Sequence, residues 1–434
     1  MNKKDLLAIL IICSIMLGYL GCSSNKQVLV VDDVNGILGE TRAPVVVKTE
    51  LKSELASAAQ EGRLGIIAPG YDSNNRFIPV QLEGSGAETE SNLVMIMPEG
   101  EPGLNELKLV EKESPFEPVM KASLDQNSGQ VMIEEEGEKV LQYNYKTVYE
   151  KDVVYGEDEL LEHHLRTETD TFVTSSIYAV PRSDYIHPLY GLEGEMLTRD
   201  WPEGGHPHHR AIFWAWPEVE YGNERGDIYA LQRIFARPTG HLELTNGPVY
   251  AQIDAENLWM LEDSLPIVRE NAVIKVYCAT ETARIIDLSI QLVALENKIT
   301  IATRETNSYG GLNLRMQTPA DQEISYFTDN AGSNPLRAWS DFNGIFKGNT
   351  SASGLMVLQY QANPEYPGQW VEYPDLAWVQ PTFPTPGTRY PLQKEKPLVL
   401  RYRLIIHSGG KPDRAASEKN WDAYHSTFTP IHHF

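Results

Sequence analysis

Apolar and polar positions alternate with a period of two through much of this chain. Ile286, Leu288, Ile290 and Leu292 alternate with Asp287, Ser289 and Gln291, the pattern of an antiparallel strand with one face in a core and the other in water. Lys298 to Arg304 and Leu398 to Ile406 repeat it, with β-branched or aromatic residues at most positions. Nearer the N-terminus come short β-rich runs: Val45 to Val47, Leu64 to Ala68, Phe77 to Leu82, Leu93 to Met97 and Glu106 to Val110. Gly, Pro and Asn turns separate them. That spacing predicts a small sandwich of about 70 residues over 43–113. Glu113-Ser114-Pro115 is the expected joint, and 114–434 the second domain. Only Asp413 to Phe428 carries helical spacing, through Ala415, Lys419, Asp422 and His425, with Asp413 placed to cap it. Crossover helices are missing, so a parallel α/β sheet is excluded. The expected fold is all-β: a small N-terminal β-sandwich, a large antiparallel supersandwich and one C-terminal helix.

The first residues change the picture of where such a fold resides. Lys3 and Lys4 precede an apolar run from Leu6 to Leu20, and Leu20-Gly21-Cys22 follows. The run is shorter than the roughly 20 residues that span a bilayer, and it reads as a signal peptide over 1–21. Cleavage before Cys22 would leave that thiol for lipidation, with 22–42 as a polar tether to an extracytoplasmic protein anchored at the membrane. Cys13 leaves with the signal, so Cys278 stands alone and no disulfide framework exists. It shares a strand face with Ile274 and Val276, the place for an inert thiol.

Charge then narrows the partners. With 37 Lys and Arg against 60 Asp and Glu the formal charge is −23. Losing the signal removes Lys3, Lys4 and Asp5, a net +1, so −23 becomes −24. Such a chain repels a phosphate backbone, and nucleic acid is excluded as a partner. The 21 Tyr and 8 Trp against 11 Phe favour rings that stack on sugars while bonding hydroxyls. An oligosaccharide is the expected partner, and the membrane is touched through lipid only.

The candidate chemistry is concentrated in one stretch. His187-Pro188-Leu189-Tyr190-Gly191, Thr198-Arg199-Asp200 and His206-Pro207-His208-His209-Arg210 fall within 187–210. Imidazole, phenol and guanidinium together make an acid/base site with an anion clamp. A metal site built on His187, His206, His208 and His209 is a second reading, and a structural network a third. Pro207 holds His206 extended, so His208 and His209 point opposite ways, which disfavours the metal; no cofactor is expected. Trp214 and Trp216 share one strand face and form either a stacking platform or core packing. Arg233 extends the basic patch of Arg199 and Arg210.

In these motifs the chain resembles the PmoA-like family of secreted bacterial proteins, with its HPLYG, TRD and HPHHR signature. Trp339-Ser340-Asp341-Phe342 and Asn363-Pro364 ahead of Trp370 are later echoes, and the resemblance covers about residues 40 to 430. Where family members often carry Asp-His-Pro, this chain has Tyr360-Gln361-Ala362. The resemblance implies an extracytoplasmic β-sandwich protein associated with polysaccharide-degrading bacteria. The oxygenase activity in the family's usual label needs several membrane spans, which this mature chain lacks.

Elimination from a uronic acid needs a base near the C5 proton, a cation on the carboxylate and an acid for the departing group. The residues supply each: His208 or His209 as base, Tyr190 or His187 as acid, Arg199 and Arg210 as the clamp, and Asp200 orienting one of them. His206, Trp214, Trp216 and Arg233 would bind substrate. The expected activity is therefore that of a carbon–oxygen lyase or dehydratase. Hydrolysis would need two opposed carboxylates, drawn from Asp200 with Asp227, Asp341 or Glu195. A non-catalytic binding lipoprotein would need neither.

Overall fold

The computed structural model describes residues 27–33, 35–67, 77–84, 91–99, 103–149, 181–200, 209–304, 309–329, 333 and 335–427. The expected signal, Cys22, His206 and His208 lie outside them. The protein is mostly β, 54% strand to 9% helix, and it divides into two compact units.

The first unit comprises Met1–Met120, Gly247–Tyr250 and Asp413–Phe434. Its sheets run in the order Gln27–Asp33, Gly103–Glu111, Leu64–Ile67, Ile78–Pro79 and Pro44–Thr49, Ser91–Ile96, Gln81–Glu83. Leu29, Val45, Val47, Leu64, Ile66, Leu93, Met95, Leu107 and Leu109 fill one core between them. Three features depart from expectation. Gln27–Asp33 is a strand and not part of a tether, because it pairs antiparallel along its whole length with Gly103–Glu111 and buries Leu29 and Val31. Ser53–Gln60 is a helix, with Leu55, Ala58 and Ala59 buried at helical spacing. The C-terminal helix, Arg414–Thr427, belongs to this unit and not to the larger one. It begins where Asp413 Oδ1 accepts the Ala416 N–H at 2.7 Å, the expected N-cap.

The second unit comprises Lys121–Asn246 and Ala251–Pro412. One eight-stranded sheet runs Trp370–Tyr373, Trp378–Pro381, Gly311–Arg315, Ile212–Ala215, Ile186–Leu189, Glu138–Tyr143, Val131–Glu135, Met120–Leu124. A second, also eight-stranded, is centred on the long strands Leu265–Tyr277, Ala283–Ala294 and Leu398–Ser408. Ile286, Leu288, Ile290 and Leu292 are buried there, while Asp287 on the alternate face takes both Arg403 nitrogens at 2.7 and 2.8 Å. Cys278 follows the first of these strands, and burial with Glu135 beside it pushes its thiol up to about 12. That thiol stays protonated and unreactive near neutral pH.

Candidate functional site

The strand Ile212–Ala215 divides the chemistry of the first sheet between two faces. Trp214 points toward the second sheet: its Nε1 donates to Glu270 Oε1 at 2.5 Å, and Trp259 donates to Glu270 Oε2 at 2.6 Å. Trp216 lies 5.5 Å from Trp259 and donates to the Phe383 carbonyl at 2.7 Å. Both tryptophans are at most 2% exposed, so the stacking-platform reading is overturned and they are core. They pack there because two indoles are large enough to bridge the sheets, and buried acceptors satisfy their N–H groups.

Alternation turns Phe213 to the opposite, outer face. Across the same sheet Leu314 pairs with the inner Ile212, which places Arg315 outward, in register with Trp378, which in turn opposes Tyr373 on the edge strand. His209, just ahead of Ile212–Ala215, joins this row. Arg315 Nη1 donates to His209 Nδ1 at 2.8 Å. The His209 ring lies 17° from the plane of Trp378 at 5.8 Å, and Tyr373 lies 18° from Trp378 at 4.7 Å. Tyr229 meets His209 edge-on at 5.7 Å, and Tyr309 lies 4.9 Å from Tyr229. The outer face is thus an aromatic floor that runs from a covered histidine to the half-exposed Tyr373 and Tyr309. Burial raises both of those phenols above their usual range.

Arginine only donates, so Nδ1 of His209 is an acceptor and its neutral ring carries the proton on Nε2. The expectation that His209 is a base therefore fails, because its lone pair is committed to Arg315.

The other expected residues separate into pairs. Arg210 is 2% exposed and meets Asp200 at 3.1 and 3.2 Å, while the Tyr185 hydroxyl donates to Asp200 at 3.1 Å. Arg210 as a substrate clamp is overturned for the same reason: its positive charge is buried against Asp200. Asp200 orients that arginine, one of its expected roles. Burial, with Asp200 beside it, pushes the Tyr185 phenol far above its usual range. His187 alternates with the inner Ile186 and so faces outward; it is half-buried, with Nδ1 3.1 Å from Thr198 Oγ1. Thr198 in turn accepts the Leu189 N–H at 3.0 Å. Tyr190 is half-buried at the end of that strand, held by its N–H to the Val140 carbonyl at 2.9 Å. Arg199 donates to Thr318 at 3.4 Å.

Arg233 lies elsewhere, in the wall of a cavity of about 330 Å³ beside the small sheet that contains Glu218–Tyr221 and Glu224–Gly226. It is tied to Glu224 at 2.7 Å and to Glu262. Asp227 lies in the same wall, and burial raises its carboxyl to about 6. The hydrolytic partners are engaged separately: Glu195 accepts from Ser353 at 2.5 Å, and Asp341 pairs with His407 at 2.8 Å. Among the described residues no three His, Cys, Asp or Glu side chains are grouped to hold a metal ion, and no helix is long and apolar enough to cross a membrane.

Sequence reasoning missed Arg315, Arg304 and the role of Trp378. Arg315 ends Gly311–Arg315, a strand with every residue buried, where a charged side chain requires a partner, but that burial is set by the fold and gives no local sequence signal.

A family model matches residues 130–422, well over half of the chain: DUF6807, a family of unknown function. The chain belongs to that family. No curated protein matches the sequence. The DUF6807 stretch runs from strand Val131–Glu135 into helix Arg414–Thr427, so it contains every strand of the first sheet except Met120–Leu124, and the cavity.

Proposed function

We propose that this protein is a carbohydrate-active enzyme that eliminates across a uronate-containing oligosaccharide, a lyase or dehydratase, exported and held to a membrane by lipid at Cys22. The observation that carries the reading is the outer face of the first sheet, where His209, Trp378 and Tyr373 form one near-parallel row beside Arg315. Trp378 is as buried as the inner tryptophans, so the ring that would meet the apolar face of a pyranose is the half-exposed Tyr373, backed by Trp378. His187, half-exposed and oriented by Thr198, is the base in place of His209. Tyr190 protonates the departing oxygen, and Arg199 carries the clamp that Arg210 cannot.

Incubation with polyuronates should yield a 4,5-unsaturated uronate, read as a rise in near-ultraviolet absorbance. His187→Ala should lower kcat by about 10²–10⁴ with little change in KM. New reducing ends without absorbance would mean hydrolysis. A non-catalytic binding protein is favoured by one observation, the consumption of Arg210 by Asp200; binding without any turnover across a glycan panel would establish it. Cys22→Ala should move the protein from the membrane to the soluble fraction.

A further inference from the structure

The cavity beside strands Glu218–Tyr221 and Glu224–Gly226 adjoins the Tyr309 end of the aromatic floor, where Arg304 lies 5.8 Å over the Tyr309 ring, and it has its own electrostatic design. Asp227 is held at its edge by reciprocal backbone bonds to Gln232 at 2.8 and 2.7 Å, and its Oδ1 accepts the Ala230 N–H at 2.7 Å. Its Oδ2 accepts from Arg304 Nη2 at 2.9 Å. Arg389, in the same lining, binds Glu218 and also Glu220 at 3.2 Å through Nη2. Two guanidinium nitrogens of this wall, Arg304 Nε and Arg389 Nη1, are buried without an acceptor. The lining sets Glu218, Glu220 and Asp227 against four arginines, of which Arg225 is held by Glu220 and Arg233 by Glu224 and Glu262, so the unmet donors are those of Arg304 and Arg389. A buried cationic donor without an acceptor is costly, and an anionic ligand group would relieve that.

We propose that this cavity takes the carboxylate of an acidic ligand on Arg304, and that Asp227 yields Arg304 to it by taking up one proton from solvent. The ligand's identity as a uronic acid rests on the function proposed above, whereas the anion site itself does not. Asp227 is suited to the exchange because burial already raises its carboxyl to about 6, against the pull of Arg304 and, more weakly, of Arg182. Tyr309 and Tyr229 are the other titratable groups that feel its charge, and burial holds both phenols protonated. Removing Arg304 from Asp227 raises that carboxyl further, because the Coulomb attraction favouring its charged form is gone. One proton therefore enters for each carboxylate bound. Arg233 takes no part, since Glu224 and Glu262 already hold it.

The test is isothermal titration of the full chain with D-glucuronate and, as neutral control, D-glucose, in buffers of different ionisation enthalpy. Above the Asp227 pKa glucuronate should bind with uptake of about one proton and an affinity that falls about ten-fold per pH unit, and below it both the uptake and the pH dependence should vanish. Glucose should give no heat. Asp227→Asn should bind glucuronate with no proton uptake and a flat pH profile. Arg304→Gln should lose binding, while Arg304→Lys, which keeps the charge, should retain part of it; unchanged thermal melts would show that both remain folded. Binding of glucose, affinity independent of pH, or no glucuronate binding at a pH of about 5 each overturns the proposal. The two readings fail separately. Proton-linked glucuronate binding without polyuronate turnover would end the lyase reading and leave the site, whereas turnover without proton-linked binding would do the reverse.

Discussion

The two faces of the first eight-stranded sheet carry similar side chains put to different uses. On the inner face Trp214 and Trp259 both donate to Glu270, and Asp184 accepts from Tyr143 at 2.7 Å and from Asn257 at 3.1 Å. These groups are all at most 3% exposed. On the outer face the same kinds of ring and charge, His209, Trp378, Tyr373 and Arg315, end in half-exposed phenols, and Trp378 Nε1 is buried without a partner. The difference teaches how to separate structural from functional chemistry in a fold with many aromatic residues. A polar network that pairs its members and meets no water specifies packing; one that runs outward to exposed rings offers a surface to a ligand.

The strongest way to break this comparison is Glu270→Ala. It leaves two buried indole N–H groups without their acceptor, and loss of such a buried partner costs on the order of 3–5 kcal/mol. Urea denaturation should show a shift of the midpoint to much lower urea. A loss below about 1 kcal/mol would mean that the inner network is not structural. His187→Ala, on the outer face, should leave the same midpoint nearly unmoved.

A second inner-face test uses pH. Burial, and then the negative charge of Asp184, raises the Glu270 carboxyl well above the usual carboxylate range near 4.5. The native state therefore keeps a proton that the unfolded chain releases above that value. Its stabilising contribution is complete below about pH 4.5 and is lost as pH rises toward the folded pKa. Urea midpoints should decline over that window in the native protein, and Glu270→Gln should flatten the decline. An unchanged slope in the variant would assign the proton to another group.

Period-two patterning made the sheets legible because strand faces alternate directly with sequence. Ile286 to Leu292 and the runs of the first unit fell into strands at nearly the expected positions. The helix Ser53–Gln60 was passed over because it is short and Ala-rich and lies among strands. The tether reading of Gln27–Asp33 overlooked that Leu29 and Val31 alternate into a core. The site was only partly legible. Motif density singled out His187, Asp200, His209 and Arg210 as residues, but the sequence does not carry the tertiary placement that sets Arg315 beside His209 and Asp200 against Arg210. A pair two residues apart, such as Trp214 and Trp216, defines a face without saying which way it points.

Smaller effects sharpen the outer side of the comparison. Tyr373→Ala removes the exposed end of the ring row at an edge strand, so it should weaken glycan binding by about 1–2 kcal/mol, roughly ten-fold, while stability changes by under about 1 kcal/mol. Trp216→Phe should do the opposite and lower stability without touching affinity. Equal effects of both on binding would erase the distinction between the faces.

The smallest change expected is at Arg199→Gln. Its side chain bonds Thr318 at 3.4 Å near the surface, and exposed polar contacts contribute little, so the thermal midpoint should correspond to a loss within about 0.5 kcal/mol. Arg210→Gln, by contrast, removes the buried partner of the half-buried Asp200 and should unfold far more easily. If Arg199 clamps a carboxylate, its replacement should weaken acidic oligosaccharides and leave neutral ones unchanged, because only the former lose an ion pair. Equal weakening of both would make Arg199 a steric part of the rim, and the clamp would then have to lie on another arginine.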